Sequence, residues 1–233
     1  MPGVLALGMP TNSPPRLVLY GNAMWTSPYV LSCFVGLAEK GLPFEVQTVA
    51  LQEGAHRSAA YVQTSFTARV PALVDGDFSL SESSAIIEYL EEKWPAPGHP
   101  PLLPRDLEAR ARARQIMAWV RSDLGPIREE RSAEYVFYPN DALPAFGPLS
   151  PAGRRALEKL VGFAERVVPA DGGHLFGAWS IADTDLAMML QRLVKTGEPL
   201  PAPLRLFAER EWQRPSVQTY VKAPRPPHHG AIY

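Results

Sequence analysis

The hydrophobic pattern changes its period partway along the chain. Up to residue 94, short apolar runs alternate with helix-like segments; beyond residue 101, apolar positions repeat almost only at helical spacing. LVLYG at 17–21 reads as a short strand. Ser27-Pro28 then opens a helix, because serine is a favoured N-cap and proline suits a first helical position that needs no N–H donor. Val30, Phe34, Leu37 and Ala38 form its apolar face, and Gly41 stops it, with Pro43 just beyond. PFEVQTVAL alternates as a strand, with Phe44 and Val46 on one face. Residues 53–69 are polar and irregular. VPALV and DFSL flank Asp75-Gly76, a hairpin signal. SSAIIEYLEEKW follows as a helix with Ile86, Ile87 and Leu90 apolar and Glu91, Glu92 and Lys93 solvated. This order describes a small mixed sheet with helices packed on it.

PAPGHPP at 95–101 reads as a linker. After it, Ile116, Val120 and Leu124 mark one helix, and Pro126 starts another that runs to about Phe137. Ser150-Pro151 repeats the cap-plus-proline start before Leu157, Leu160, Val161 and Ala164. Ser180-Ile-Ala-Asp183 resembles a capping box, with Asp in place of Glu or Gln, and opens a helix carrying Leu186, Leu190 and Leu193. The predicted class is α+β followed by all-α. Its segments are a flexible leader at 1–15, a first domain at 16–94, the linker, a helical domain at 102–222 and a flexible tail at 223–233.

The 233 residues suffice for a real core, and the net charge of −1 gives no global field toward nucleic acid or an anionic membrane. One cysteine excludes an intrachain disulfide framework and fits a reducing compartment. No apolar stretch approaches the ~18 residues of a membrane helix, and the N-terminus lacks a basic segment before a signal core. The expectation is a cytoplasmic protein without nucleic-acid or membrane partners.

Four stretches carry a resemblance to a known family: LYGNAMWTSPYV, HRSAAYVQTSFTARVPALVDGDF, SLSESSAIIEYLEEKW and SIADTDLA. Together they resemble the glutathione S-transferases, in particular the bacterial YfcF-like group, with the zeta and theta classes as relatives. The resemblance covers roughly residues 17–222. It implies a thioredoxin-like N-terminal domain that binds glutathione, an all-helical C-terminal domain, a homodimer, glutathione as substrate and no metal.

The residues suit that ligand. Glutathione carries two carboxylates, one α-ammonium and a thiol. Ser83 stands where a helix begins, and free N–H groups and the helix dipole there suit a carboxylate. Glu82, just before it, offers a carboxylate to the α-ammonium; taken alone, the pair also reads as a plain cap and a first-turn acid. By resemblance, Val70-Pro71 is a cis bond whose Val70 backbone pairs with the cysteinyl part. Arg69 and His56 are expected near the glycyl carboxylate, Arg69 through a bidentate guanidinium; a lone loop histidine such as His56 is more often merely solvated.

A free thiol has a pKa of about 8.5, so roughly 3% is thiolate at neutral pH. Lowering it by about two units needs ~2.7 kcal/mol. One hydroxyl donor to an anion supplies roughly 1.5–3 kcal/mol and a helix N-terminus roughly 0.3–1 kcal/mol. Ser27 is the expected donor and Thr26 its rival. Capping and thiolate binding are compatible, because a hydroxyl has one proton to donate and two lone pairs. Cys33, at helical spacing with Val30 and Leu37, is expected to be buried and inert.

The resemblance places an electrophile beside the helical domain, with Met117, Trp119, Tyr135 and Phe137 as candidate wall residues and Asp123 near the glutathione amino end. Arg121, Arg128, Glu129, Glu130 and Arg131 read as a solvated ion-pair network. The expected function is conjugation of glutathione to small hydrophobic electrophiles, or reduction of organic hydroperoxides. The alternatives are a non-catalytic binding or regulatory protein and a zeta-like glutathione-dependent isomerase.

Overall fold

A computed structural model describes residues 5–7 and 17–228. Strands β1 (Leu5–Leu7), β2 (Leu17–Asn22), β3 (Phe44–Val49), β4 (Ala72–Asp75) and β5 (Phe78–Ser81) form one sheet in the order β1-β3-β2-β4-β5. β2 and β3 are parallel; the other pairs are antiparallel. Helix α1 (Pro28–Glu39) is the crossover that the parallel pair needs. α2 (Ala59–Thr64) precedes β4, and α3 (Ser83–Lys93) follows β5. The hairpin turn is Gly76-Asp77, since Asp75 still pairs with Phe78; Gly76, at φ 61°, takes the left-handed position.

Leu19, Val46 and Leu73 of the sheet are buried, as are Phe34 and Leu37 of α1 and Ile86, Ile87 and Leu90 of α3. Each such side chain contributes about 1.5–3 kcal/mol on leaving water. The two helices approach closely at Gly36, where a Cβ would stand 2.7 Å from Ile87 Cδ1. Leu5–Leu7, inside the expected leader, pair with β3; the rest of that leader lies outside the described residues.

Lys40 is fully buried. Its ammonium donates to Trp94 O (2.8 Å) and Pro100 O (3.1 Å) and pairs with Glu91 Oε2 (2.9 Å), which also accepts from the Leu102 N–H. The linker at 95–101 is therefore pinned to the end of α1. Glu91, expected to be solvated, is buried instead, because its carboxylate answers a buried ammonium.

The helical part comprises α4 (Leu107–Ser122), α5 (Gly125–Glu130), α6 (Glu134–Phe137), α7 (Pro151–Val167), α8 (Ile181–Lys195), α9 (Ala202–Trp212) and α10 (Pro215–Val221). The helix expected from Pro126 to Phe137 is broken at Arg131. That guanidinium is buried, donating to Glu198 Oε1 and Gly147 O, while Arg192 donates to the Arg131 carbonyl. Arg128 donates to the carbonyls of Val120, Arg121 and Asp123; Glu130 accepts from the Ser150 N–H and hydroxyl; Arg121 pairs with Asp185 at 2.6 Å. Most of the charged run expected to be solvated thus ties off helix ends. At Ser180–Asp183 the capping box is present: Asp183 accepts from the Ser180 N–H and hydroxyl and from the Leu175 N–H.

The chain divides into two compact units. One holds the described residues through Leu102 together with Thr219–Pro226; the other holds Leu103–Gln218 with 227 and 228. The last turn of α10 and the start of the expected tail therefore belong to the sheet-bearing unit. There Arg225 donates to the carbonyls of Val221, Ala223, Tyr220 and Trp25, so this part of the predicted flexible tail is held in place. The remainder, 229–233, lies outside the described residues. No described helix is long and apolar enough to cross a membrane.

Candidate glutathione site

The register of the sheet gathers the candidate residues. Tyr20, Ala72 and Ser81 form one row across β2, β4 and β5, and Asn22 faces Val49 across β2 and β3. The chain leaving β2, the chain leaving β3, the chain entering β4 and the chain leaving β5 all open at that end. They carry Thr26-Ser27, His56, Arg69-Val70 and Glu82-Ser83. Among the described residues, non-glycine positive φ occurs at Trp25 (52°), Ala68 (52°), Glu82 (75°) and Leu124 (61°); the first three lie in these connections. Such backbone costs of order 1–3 kcal/mol per residue and concentrates where a site over-determines it.

Ser27 is the N-cap of α1: its Oγ accepts from the Val30 N–H at 3.3 Å, and it is half-buried. Its own N–H donates to Asn22 Oδ1 at 3.1 Å. The same Asn22 amide donates from Nδ2 to Thr26 Oγ1 at 2.9 Å. Thr26 is buried and Asn22 is buried. Each of the two rival hydroxyls accepts one bond and keeps its proton unassigned; they differ in exposure, Thr26 being buried and Ser27 half-buried at the N-terminus of α1. Asn22 was missed in the sequence because an asparagine ending an apolar run carries no periodic signal.

Val70-Pro71 is a cis peptide bond, as the resemblance implied. The N–H and C=O of Val70 make no hydrogen bond among the described residues. The Arg69 backbone is braced: its carbonyl accepts from Tyr61 Oη (2.9 Å) and Ser65 Oγ (2.7 Å), and its N–H donates to Ser65 Oγ. Burial pushes the Tyr61 phenol up to about 12, which keeps it protonated as a donor. The Arg69 side chain is exposed and makes no ion pair among the described residues. His56 lies in the 3-10 turn Ala55–Arg57; its Nδ1 is buried without a hydrogen-bond partner. Glu82 is exposed, in left-handed backbone, with no capping bond from its carboxylate; Ser83, at the first position of α3, is buried.

Cys33 is buried, and its Sγ lies 3.7 Å from the Ser83 carbonyl, beneath the head of α3. The candidate wall residues are taken up within their own unit. Met117 is buried, Trp119 packs on Phe163 at 4.3 Å, Tyr135 donates to Pro144 O, and Phe137 packs on Trp212 at 5.9 Å. Asp123 is held by Lys159, by the Leu124 N–H and by Trp119 Nε1, and these bonds lower its carboxyl to about 2.

One group among the described residues has metal-ligand character: His174, Asp183 and Glu211, whose donor atoms lie within 4.8 Å of one another. The oxygens of Asp183 already accept three capping bonds, and Arg214 and Arg210 stand 3.6 and 3.8 Å from Glu211. Asp183 is thus occupied by N–H and O–H donors and Glu211 is flanked by two guanidiniums, and the group joins the start of α8 to the end of α9.

Residues 26–93 match the model of the glutathione S-transferase N-terminal domain, and residues 106–224 that of the C-terminal domain. The chain belongs to the glutathione S-transferase family, and its relatives place it near the theta and zeta classes. Glutathione S-transferase theta-1 of Mus musculus is 40% identical over 91 residues, 39% of this chain and 37% of that protein. The chain therefore spans little more than a third of that curated relative. A glutathione transferase homologue from Burkholderia gl BGR1, solved with bound glutathione, is 43% identical over 88% of this chain and 96% of its own, with a TM-score of 0.71. A zeta-class bacterial glutathione S-transferase, maleyl pyruvate isomerase in its holo form, is 26% identical over 92% and 100%, with a TM-score of 0.68.

Proposed function

We propose that this protein binds glutathione at the open end of the sheet and transfers its thiolate to small hydrophobic electrophiles, or uses it to reduce organic hydroperoxides. The observation that carries the reading is the set of unspent groups at that end. Among the described residues, the Glu82 carboxylate and the Arg69 guanidinium make no ion pair, and the Val70 peptide makes no hydrogen bond on either side. The free carboxylate of Glu82 suits the α-ammonium and the head of α3 at Ser83 suits the α-carboxylate. The Val70 backbone pairs with the cysteinyl peptide, and Arg69, aided by His56, takes the glycyl carboxylate.

Ser27 completes the site. With one lone pair held by the Val30 N–H, its proton is available to the sulfur, and the N-terminus of α1 adds a favourable dipole. Ionisation alone raises the thiolate population by at most ~30-fold, and a lower pKa weakens the nucleophile. Further acceleration comes from holding the electrophile beside the sulfur. A cytoplasmic homodimer is part of this proposal. The likeness to maleyl pyruvate isomerase favours glutathione-dependent isomerisation as the second reading.

The test is retention on immobilised glutathione combined with turnover of a model aryl halide and of cumene hydroperoxide. Retention with turnover of either is expected. Retention without turnover over a broad electrophile panel would identify a binding module instead.

A further inference from the structure

The proposed thiol-activating serine is framed by residues far from it in sequence. Tyr220, at the end of α10, donates its hydroxyl to the Ser27 carbonyl at 3.2 Å. Its ring is fully buried and packs edge-on against Trp25 (5.2 Å) and Phe34 (5.4 Å). Burial raises the phenol's pKa, so the hydroxyl stays a donor at physiological pH. Five residues on, the Arg225 guanidinium donates to the Trp25 carbonyl at 3.2 Å and to the Tyr220 carbonyl at 3.0 Å. Trp25 is the left-handed residue of the loop, at φ 52°. From the other side, Asn22 holds the Ser27 N–H and the Thr26 hydroxyl.

Among the described residues, every polar group of Ser27 is thus assigned except the hydroxyl proton and one lone pair. Its N–H goes to Asn22, its carbonyl receives Tyr220 Oη and the Leu31 N–H, and its Oγ receives the Val30 N–H. We infer that Tyr220 and Arg225, in the segment that rejoins the sheet-bearing unit, are positioning residues that aim the Ser27 hydroxyl at the thiol. The inference rests on the proposed role of Ser27. The carbonyl bond fixes the peptide from which the side chain departs, and the Arg225 bonds hold the preceding left-handed turn. Displacing a donor by about 1 Å from a developing anion costs far more in rate than in binding.

The test uses the full chain with Tyr220→Phe, which keeps the ring and removes the hydroxyl that donates to Ser27, and Arg225→Lys, which keeps the charge but not the four-carbonyl reach. The readouts are kcat and the glutathione KM with an aryl halide, the acid limb of the kcat/KM pH profile, and the thermal midpoint. Tyr220→Phe is expected to lower kcat roughly three- to tenfold, the effect of one neutral hydrogen bond, and to move the acid limb upward. The glutathione KM should stay within about twofold, because Ser27 is not asked to bind the tripeptide. Arg225→Lys should shift the limb in the same direction, and it carries the test if Tyr220→Phe does not fold. A lower thermal midpoint with an unmoved acid limb in the folded variants overturns the inference. Ser27→Ala, run in parallel, separates the two claims. If it moves the limb and the positioning variants do not, the serine stands and the frame falls; if Ser27→Ala moves nothing, the reading of the serine itself fails.

Discussion

Glu82 occupies the most demanding single position of the site: an acid in left-handed backbone, exposed, with a carboxylate that caps nothing. On the proposed reading, that conformational cost is borne for a ligand that needs its charge. Glu82→Gln keeps the shape and removes the charge, so the glutathione KM should rise roughly tenfold or more, the worth of a hydrogen bond to a charged group, while kcat at saturation changes little. Steady-state kinetics with varied glutathione checks this. Thr26→Ala should instead lower the thermal midpoint without moving the acid limb, because Thr26 Oγ1 is engaged by Asn22 away from solvent. Part of the local structure was legible in the sequence. Ser27 before Pro28 announces a cap, and Glu82-Ser83 announces the start of a helix, on which the proposed anion site rests. What was not legible is the choice between hydroxyls, which depends on an asparagine four and five residues back whose side chain turns into the loop.

At the scale of elements, local signals were read well and distant ones were not. Caps and turns are short-range, so the starts of α1, α7 and α8 and the β4–β5 hairpin, its turn one residue past the Asp75-Gly76 signal, follow from a few adjacent residues. Lys40 caps the C-terminus of α1; its burial comes from carbonyls more than 50 positions away, together with Glu91. Lys40→Met should therefore destabilise by about 3–5 kcal/mol, since it leaves the Glu91 carboxylate buried and uncompensated. Chemical denaturation checks it, and adding Glu91→Gln should recover part of the loss. The joint of α8 and α9 gives a pH dependence. Burial and the nearby Asp183 raise the Glu211 carboxyl above its ordinary 4.5, outweighing Arg214, His174 and Arg210. A carboxyl whose folded pKa is raised binds its proton more tightly when folded, so this contribution is fullest below the ordinary value and is lost as pH rises through the folded one. Thermal midpoints should fall across that window, and Glu211→Gln should flatten the fall. An equal slope in the variant would remove Glu211 from the account.

For the whole molecule, the division of the chain is not the one its composition marks. The Pro-rich stretch near 95–101 does separate a mixed sheet from helices, but residues 219–226 cross back to the first unit, which no local pattern announces. Tyr220 meets Ser27 across 193 positions of sequence, a distance over which only the folded chain can specify a contact. The proposed homodimer belongs to this scale as well, and light scattering should give twice the mass of one chain. The central claim is narrower: one hydroxyl, on Ser27, holds the thiolate. Its most direct measurement is the pKa of glutathione's thiol bound to the wild type, to Ser27→Ala and to Thr26→Ala. The expected result is a thiol well below its free value of about 8.5 in the wild type and in Thr26→Ala, and a return toward that value in Ser27→Ala. A thiol unchanged by Ser27→Ala and raised by Thr26→Ala would contradict it.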